Sequence, residues 1–363
     1  MSSDFGKNIR CSIFGQSHSQ GVGVVIDGLP AGEHIDFFRL KEFMNRRAPG
    51  ELKAFGTERR ETDEFEIISG FLAEETCGAP VCGIIPNRDC KSDDYEELKD
   101  VFRPGHADFT AELKYRGYQD KRGGGHFSGR LTAPLCLAGG IALQILERRN
   151  IYVGAHALKI GNLEDIPFDN LELIKDDLLD PGRYPFPVRN PGVGESMAKL
   201  MELTAKKGDS LGGVIECAAI GVPGGLGEPM FDGIENILAK NLFGIPAVKG
   251  VEFGEGFGAA ALKGSQNNDE FYFDNKNIKT KTNHAGGILG GITDGMPLLF
   301  RVAVKPVPSI AKQQDSVNIK TGEAEAISVK GRHDGCIVPR AVPVVEAVAA
   351  LTILDFMSGE KLL

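Results

Sequence analysis

The 363-residue sequence predicts a fold that mixes α-helices and β-strands. Short apolar runs that end in Gly/Pro turns are typical of strands, as in VGVVIDGL from Val22 to Leu29. Long apolar runs such as Leu131–Arg149 are typical of buried helices. An internal match between two strand-and-turn segments is a third observation, because repeated scaffolds carry repeated turn chemistry.

Two further helices and a second strand follow from the same patterns. The helices are predicted at Phe37–Arg47 and Ala341–Met357, and the strand at GVIECAAIGV, Gly213–Val222. We place Pro343 in the first turn of the last helix, where a missing backbone N–H is tolerated. No apolar run reaches the roughly 18 uncharged residues of a membrane span, so we expect no membrane association.

The chain is predicted to be a single domain, 1–363, made of two pseudo-repeated halves. A polar, proline-punctuated connector, 161–191, joins the halves, which we place at about 1–160 and 192–363. Lys263–Asn283 is rich in Asn, Asp and Lys and is predicted to be an exposed excursion.

The internal match aligns Gly15–Gly32 with Gly208–Gly225 without gaps. The matching pairs are Gly15/Gly208, Ser17/Ser210, Gly28/Gly221, Pro30/Pro223 and Gly32/Gly225. Because the chain has 47 glycines, coincidence stays open as an explanation. The segments differ at His18, which aligns with Leu211. A genuine repeat therefore predicts a shared scaffold with the chemistry in one half.

Composition restricts the class of ligand and the compartment. The net charge of −9 disfavours a nucleic-acid binder, because phosphate-backbone affinity requires clustered Lys and Arg on a basic surface. The arginines nevertheless cluster locally, which indicates a small anionic ligand in a basic pocket. Seven cysteines without a C-x-x-C pair indicate reduced thiols and no metal site. The N-terminus lacks a signal-peptide layout, and we expect a cytoplasmic protein.

Histidine, arginine and glycine occur together in four places. These are GQSH at Gly15–His18, RPGHAD at Arg103–Asp108, RGGGHFSGR at Arg122–Arg130 and GRHD at Gly331–Asp334. Histidine exchanges a proton near neutrality, and arginine binds phosphate and carboxylate. The residues alone therefore predict an enzyme for a small multiply anionic metabolite, with at least one histidine as acid.

Each of these residues also has a simpler interpretation. A histidine in a loop is most often a surface residue, and Arg46-Arg47 is equally consistent with the solvated end of a helix. Asp334 beside its basic neighbours is, in isolation, more typical of an ion-pair partner. We assign Asp108 only a structural role in holding its loop.

The same stretches resemble the chorismate synthase family. The resemblance covers nearly the whole chain in order and rests on these segments: GQSHSQGVGVVIDGLPAG, RRAPG, RPGHAD, RGGGHFSGRLTA, GVPGGLGEP, AVKGVE, GSQNNDE, NHAGGILGGI and GRHDGCIVPRAVP. It implies an α+β fold, a β-α-β sandwich with internal pseudo-two-fold symmetry whose helices pack between two antiparallel sheets. It also implies a homotetramer.

The activity that the resemblance implies is a carbon–oxygen lyase reaction. An anti-1,4-elimination of phosphate converts 5-enolpyruvylshikimate 3-phosphate into chorismate, the last common step of the shikimate pathway to aromatic amino acids. Reduced FMN is required although no net redox change occurs. How the flavin is reduced stays open between intrinsic NADPH activity and an external flavin reductase. The sequence carries no reductase-like domain, which favours the external reductant.

The resemblance also implies roles for individual residues. His106 would keep the bound reduced flavin in its protonation state, His18 would donate to the leaving phosphate, and Asp334 would relay the proton. Residues implied for substrate binding are Ser17, Arg47, Lys53, Arg103, Arg130 and Arg340. Residues implied for cofactor binding are His126, Phe127, Ser128, Pro246, Ala247, Gly290, Lys305, Pro306, Val307, Pro308, Ser309 and Arg332.

The chain departs from the family pattern near the predicted anion and flavin sites. The departing residues are Gln16, Lys53, His126, Phe127, Gly129 and Gly335. Because these changes surround the predicted flavin, a flavin-dependent oxidoreductase acting on a small anionic metabolite is the alternative function. A nucleic-acid-binding module based on the Arg46–Arg60 cluster is a third hypothesis, disfavoured by the acidic composition.

Overall fold

The computed structural model describes residues 3–48, 63–88, 100–329 and 334–363. Its first antiparallel sheet has the strand order β1-β2-β3-β7-β4, and a small hairpin, β5–β6, lies beside it. The bounds are β1 (Asp4–Phe5), β2 (Arg10–Gly15), β3 (Gly21–Asp27), β4 (Glu66–Ser69), β5 (Phe71–Leu72), β6 (Glu75–Thr76) and β7 (Val81–Pro86).

A second five-stranded antiparallel sheet has the order β11-β16-β10-β8-β9, with three further hairpins around it. The bounds are β8 (Tyr152–Ile160), β9 (Leu163–Glu164), β10 (Gly213–Ile220), β11 (Val248–Phe253), β12 (Phe271–Asp274), β13 (Asn277–Thr280), β14 (Ile288–Leu289), β15 (Ile292–Thr293), β16 (Leu298–Val304), β17 (Gln314–Val317) and β18 (Ala324–Ile327). The helices are α1 (Phe37–Arg47), α2 (Asp108–Tyr115), α3 (Thr132–Glu147), α4 (Lys175–Leu179), α5 (Pro191–Lys206), α6 (Ile234–Leu242), α7 (Gly264–Asn267) and α8 (Val338–Gly359).

Helices α3 and α8 pack against each other between the two sheets. Helix α3 contacts β3 and β7 of the first sheet, and α8 contacts β8 and β10 of the second. A Cβ on Gly139 of α3 would lie 2.2 Å from the Ala347 Cβ of α8, so glycine permits the close crossing. By length and composition the segments Gly129–Glu147 and Val338–Gly359 pass a membrane-span test, but each is 89% buried. They are core helices, as the sequence predicted.

The two sheets share one topology. The order β2-β3-β7-β4 in the first corresponds to β8-β10-β16-β11 in the second. Helix α1 corresponds to α6, the hairpin β5–β6 to β14–β15, and each series ends in a core helix, α3 or α8. One cluster of buried apolar side chains extends through both sheets and both core helices.

Corresponding turns are also built alike. Gly28 after β3 and Gly221 after β10 have φ of 93° and 78°. At each, a Cβ would lie 2.1 Å from a carbonyl oxygen, that of Asn8 in the first half and Asn150 in the second. A side chain is therefore excluded at both positions by the same approach of backbone to backbone.

A threonine holds each of these turns from the neighbouring hairpin. The Oγ1 of Thr76 in β6 donates to the Pro30 carbonyl at 2.6 Å, and that of Thr293 in β15 donates to the Pro223 carbonyl at 2.7 Å. Each Oγ1 also accepts a backbone N–H at 2.9 Å. The two halves thus share hydrogen bonds as well as strand order.

The structure confirms most predicted elements and corrects two. Helix α1 has the predicted bounds, and β3 and β10 lie in the two predicted strands. Helix α8 begins at Val338, so Pro339 is the first-turn proline and Pro343 lies inside the helix. Its missing N–H leaves the carbonyl four residues earlier without a helical partner.

The predicted boundary between the halves is also wrong by one strand. Strand β8 pairs with β10 of the second sheet, so the first half ends before Tyr152 and not at residue 160. The connector packs on the second sheet through Phe168, Leu173 and Leu178. The predicted excursion Lys263–Asn283 contains α7 and the β12–β13 hairpin, with many exposed residues.

Candidate active site

A cavity of about 1120 Å³ opens at the N-terminal ends of α3 and α8. Its basic lining residues are His18, Arg47, Arg103, His106, Lys114, His126, Arg130, Lys240, Lys249, Lys305 and Arg340. The predicted basic pocket on an acidic chain is therefore confirmed. Helix N-termini add partial positive charge at the same end of the cavity.

Asp63 holds two of the cavity arginines side by side. Arg47, the last residue of α1, donates from Nε and Nη2 to its two carboxylate oxygens at 2.6 and 2.8 Å. Arg130, just before α3, donates from Nη1 to the same carboxylate. Burial raises the pKa of Asp63, but the two guanidinium groups outweigh it and the net shift is downward. Arg47 is therefore a buried, oriented cation and not a solvated helix end.

The loop before α2 forms a second charged group. Gly105 has φ of 73°, and the His106 N–H donates to the Arg103 carbonyl at 3.1 Å, which closes a tight turn. Both side chains then reach the Asp108 carboxylate, Arg103 through Nε at 2.8 Å and His106 through Nδ1 at 2.6 Å. The Lys305 ammonium donates to the Gly105 carbonyl and ties this loop to the second half.

The glycine run Gly123–Gly125 lies next to both predicted catalytic histidines. At Gly123, with φ of 66°, a Cβ would lie 2.5 Å from His18 Cε1. At Gly124 a Cβ would lie 3.4 Å from His106 Nε2. The run therefore brings both imidazoles against one backbone segment, which a side chain would prevent at Gly123.

His18 is held at the other side of this segment. The Ser17 hydroxyl lies 3.1 Å from His18 Nδ1 and donates to the Arg122 carbonyl at 3.2 Å. The Ser17 N–H donates to the Gly125 carbonyl at 3.0 Å. These bonds fix the β2–β3 turn against the glycine run.

Asp334 and Arg340 lie at the start of α8. Arg340 donates from Nη1 to Asp334 Oδ2 at 2.5 Å and from Nε to the Arg47 carbonyl at 3.0 Å. Asp334 Oδ1 is buried and has no hydrogen-bond partner within the described part of the chain. Asp334 is thus both an ion-pair partner and a cavity residue with an oxygen left to accept a proton or hydrogen bond.

His126 is engaged with the protein at both ring nitrogens. Nδ1 donates to the Gly15 carbonyl at 2.7 Å, and Nε2 lies 2.7 Å from the Ser3 hydroxyl. The ring borders the cavity, but its hydrogen bonds join the N-terminal segment to the glycine run.

The cavity gathers most of the predicted site residues. Predicted residues that line it are Ser17, His18, Arg47, Arg103, His106, His126, Phe127, Ser128, Arg130, Pro246, Ala247, Lys305, Val307, Pro308, Ser309, Asp334 and Arg340. Pro306 lies in the same loop but is not among the lining residues. Gly290 lies in the exposed β14–β15 turn and is not among the residues that line this cavity. Lys53 and Arg332 lie outside the described residues.

Sequence reasoning missed Asp63 entirely and gave Asp108 only a loop-holding role. Asp63 lies 16 residues from Arg47 and 67 from Arg130 in the chain. No local pattern marks such a partner. Asp108, two residues from His106, had a usable signal: an acidic residue next to a candidate catalytic histidine.

The fold and the cavity define an α+β enzyme with a basic pocket in which two histidines lie against one backbone segment. A family model described as chorismate synthase matches residues 9–358. The chain therefore belongs to the chorismate synthase family, a family of lyases that act on a phosphate ester.

Similar proteins support this assignment along the whole chain. A chorismate synthase from Dehalococcoides mccartyi is 46% identical over 355 residues, covering 98% of this chain and 96% of the relative. One from Thermococcus kodakarensis is 46% identical over 352 residues, covering 97% and 96%. A crystal structure of a chorismate synthase matches with a TM-score of 0.77 and 27% identity, covering 98% of this chain and 93% of that one. The predicted fold class and family are confirmed.

Proposed function

We propose that this cavity performs the anti-1,4-elimination of phosphate from 5-enolpyruvylshikimate 3-phosphate to give chorismate. The observation that carries the proposal is the placement of His18 and His106 against one glycine run, inside a wall with four arginines. The substrate has a phosphate and two carboxylates, so several fixed cations are needed to bind it and to balance charge as phosphate leaves.

The cavity residues have separate roles in this reaction. Arg47 and Arg130, held by Asp63, present guanidinium groups to an anionic group of the substrate. His18, near the same basic wall, donates a proton or hydrogen bond to the leaving phosphate. Asp334, with its buried Oδ1, accepts the proton that leaves the ring. His106 lines the cavity beside Gly124 and exchanges a proton there at Nε2.

Reduced FMN fits this cavity. Besides its basic groups, the wall includes apolar side chains against which a flat ring can lie, among them Phe127, Ile337 and Val344. A volume of about 1120 Å³ exceeds the roughly 300–1,000 Å³ typical of a pocket for one small molecule. When bound, reduced FMN supplies an electron transiently to help expel phosphate and recovers it as the proton leaves.

We also propose a location, an oligomeric state and a source of reduced flavin for this protein. We expect a cytoplasmic homotetramer of chains, each a single domain with two pseudo-repeated halves. The flavin is reduced by an external flavin reductase, with NADPH as the indirect reductant. If the purified protein itself reduced FMN with NADPH, no external flavin reductase would be required.

Phosphate release is the direct test. The purified protein is mixed anaerobically with photoreduced FMN and 5-enolpyruvylshikimate 3-phosphate, and phosphate, chorismate and flavin absorbance are followed together. We expect stoichiometric phosphate and chorismate while the flavin stays reduced. Stoichiometric flavin oxidation would instead indicate the oxidoreductase, and absence of phosphate release would reject the proposed reaction.

A further inference from the structure

We propose that Asp108 is a positioning residue that fixes the tautomer and the orientation of His106, so that Nε2 is the nitrogen exchanging a proton in the cavity. This inference rests on the proposed function for its effect on turnover. The geometry itself, an Asp–His pair inside the cavity wall, stands on the contacts described below.

The local fold brings the two side chains together. Asp108 is the first residue of α2, and His106 precedes it across the turn that Gly105 permits. A carboxylate in the first turn of a helix is favoured by the helix dipole. His106 Nδ1 lies 2.6 Å from Asp108 Oδ1, a distance at which the ring N–H donates to an ionised carboxylate.

Asp108 is held in place by groups that keep it ionised. Arg103 donates from Nε to Oδ2 and from Nη2 to Oδ1, both at 2.8 Å, and its backbone N–H donates to Oδ2 at 3.1 Å. Burial raises the pKa of Asp108, but the bonds from Arg103 and His106 outweigh it and place the pKa well below its usual value. The carboxylate is therefore an acceptor only.

The hydrogen-bonding groups around His106 Nδ1 exclude the tautomer that carries the ring proton on Nε2. Arg103 Nη2 lies 3.1 Å from His106 Nδ1, but both atoms are donors directed at Asp108 Oδ1. If the ring proton were on Nε2, the lone pair of Nδ1 would face the Asp108 Oδ1 carboxylate oxygen, which is repulsive. The ring proton therefore resides on Nδ1, and Nε2 is left facing the cavity at Gly124. In hydrolases, an aspartate in this position serves to hold the tautomer, not to take the proton.

The test combines imidazole NMR with kinetics of Asp108→Asn. An asparagine keeps the shape but offers an N–H₂ group to Nδ1, so the ring proton moves to Nε2. With ¹⁵N-histidine labelling, the wild-type protein should show His106 protonated at Nδ1, and Asp108→Asn should show loss of that signal pattern. Its kcat should fall about 10²–10⁴-fold, the range of a proton-transfer contribution, with KM for the substrate changed less than about threefold.

A second buried Asp–His pair in the chain provides the matched control. Asp165 Oδ2 lies 3.2 Å from His156 Nδ1, and neither residue lines the cavity. Asp165→Asn should leave the His106 signals and kcat unchanged, even where it lowers the melting temperature. Asp108→Glu, which keeps a carboxylate, should retain the Nδ1–H signal and recover at least about tenfold of the lost kcat.

Wild-type NMR keeps the inference falsifiable if Asp108→Asn does not fold. A wild-type His106 protonated mainly at Nε2 would overturn it, as would an unchanged tautomer in folded Asp108→Asn. A tautomer change without phosphate release by the wild-type protein would leave the positioning role intact and reject the proposed reaction. A tautomer change with unchanged kcat in an active enzyme would overturn the catalytic effect of Asp108.

Discussion

The two halves of the molecule share a scaffold and differ in the loop that immediately precedes the corresponding strands β3 and β10. In the first half this loop carries His18 into the cavity. At the aligned position of the second half, Leu211 forms a β-bridge with Cys336, and its N–H donates to the Gly335 carbonyl at 2.8 Å. One loop presents an imidazole to the cavity, whereas the other pairs with the segment that precedes α8.

This difference shows which positions the scaffold fixes. Gly28 and Gly221 are required by the same backbone approach, so they are matched in sequence and conformation. The side chain next to Ser17 and Ser210 carries no such constraint, and it differs between the halves, as His18 and Leu211. The expectation that one half holds the chemistry was too narrow, however. Among the described residues, the three histidines that line the cavity come from the first half, but Lys305, Asp334 and Arg340 come from the second.

The largest effect is expected from removing a first-half histidine. His106→Ala should lower kcat about 10²–10⁴-fold, because the imidazole that exchanges a proton at Nε2 in the cavity is lost. Substrate affinity should stay nearly unchanged, because the arginines that hold the substrate remain. The measurement is anaerobic phosphate release with reduced FMN, together with equilibrium binding of substrate.

His34→Ala is the matched control. His34 is exposed, lies outside the cavity wall and pairs only loosely with Glu74 at 3.8 Å. It should keep wild-type kcat. A loss of activity in His106→Ala that simply follows unfolding or lost binding would show that His106 has no role in proton exchange.

The next effect comes from the glycine run. Gly123→Ala should lower kcat/KM about 10²-fold, the cost of an error of about 1 Å in a reacting group, because the new Cβ would lie 2.5 Å from His18 Cε1. Gly225→Ala is the comparison in the second half: its φ of 98° is also unfavourable for alanine, but no atom lies within 4 Å of the new Cβ.

Both glycine variants should lose thermal stability, because each places alanine at positive φ, and Gly123→Ala also has the close contact with His18. Only Gly123→Ala should lose activity. Equal activity in the two variants would mean that His18 does not depend on the glycine run. Kinetics and melting curves of the two proteins, measured side by side, decide between these outcomes.

A smaller effect on binding is expected at the end of α1. Arg47→Lys should raise the substrate Kd about tenfold, or about 1.4 kcal/mol, because lysine cannot reproduce the fork that meets Asp63. Arg46→Lys is the control: Arg46 pairs with Glu346 at 2.7 and 2.8 Å and does not line the cavity. Calorimetric titration with substrate should show unchanged affinity there, and equal losses in both variants would argue against direct binding by Arg47.

Much of the scaffold follows from local sequence signals, as α1 shows. Its helix period, the capping Asp36 and its two terminal arginines all lie within one window, and the predicted bounds match the structure. Strand β8 was assigned to the wrong half because its apolar pattern does not say which sheet it joins. Sheet membership depends on pairing with β10, about 60 residues later.

Part of the candidate site can likewise be predicted from local sequence patterns, and part depends on the fold. The histidines and arginines are visible as clusters with glycine, and most of them reach one cavity. A partner that is distant in the chain is not visible, because Asp63 meets Arg130 only through the fold. The function of Gly123 is also hidden, since the sequence shows a flexible residue but not the imidazole that it faces.

The smallest effect, and the sharpest test of equivalence, concerns the threonines that hold the two turns. Thr76→Val and Thr293→Val each remove a hydroxyl that donates to a proline carbonyl and accepts a backbone N–H. Both side chains are buried, so each variant leaves buried polar groups unsatisfied and should lose about 1–3 kcal/mol of unfolding free energy.

Urea unfolding should give the same loss for both variants within about 0.5 kcal/mol, and the double variant should be additive, because the two turns lie in separate sheets. Neither side chain lines the cavity, so kcat should stay within about twofold of wild type below the melting transition. A loss of unfolding free energy in only one of the two variants would mean that the matching hydrogen bonds contribute unequally to stability. The two halves would then be alike in geometry but not in energetics.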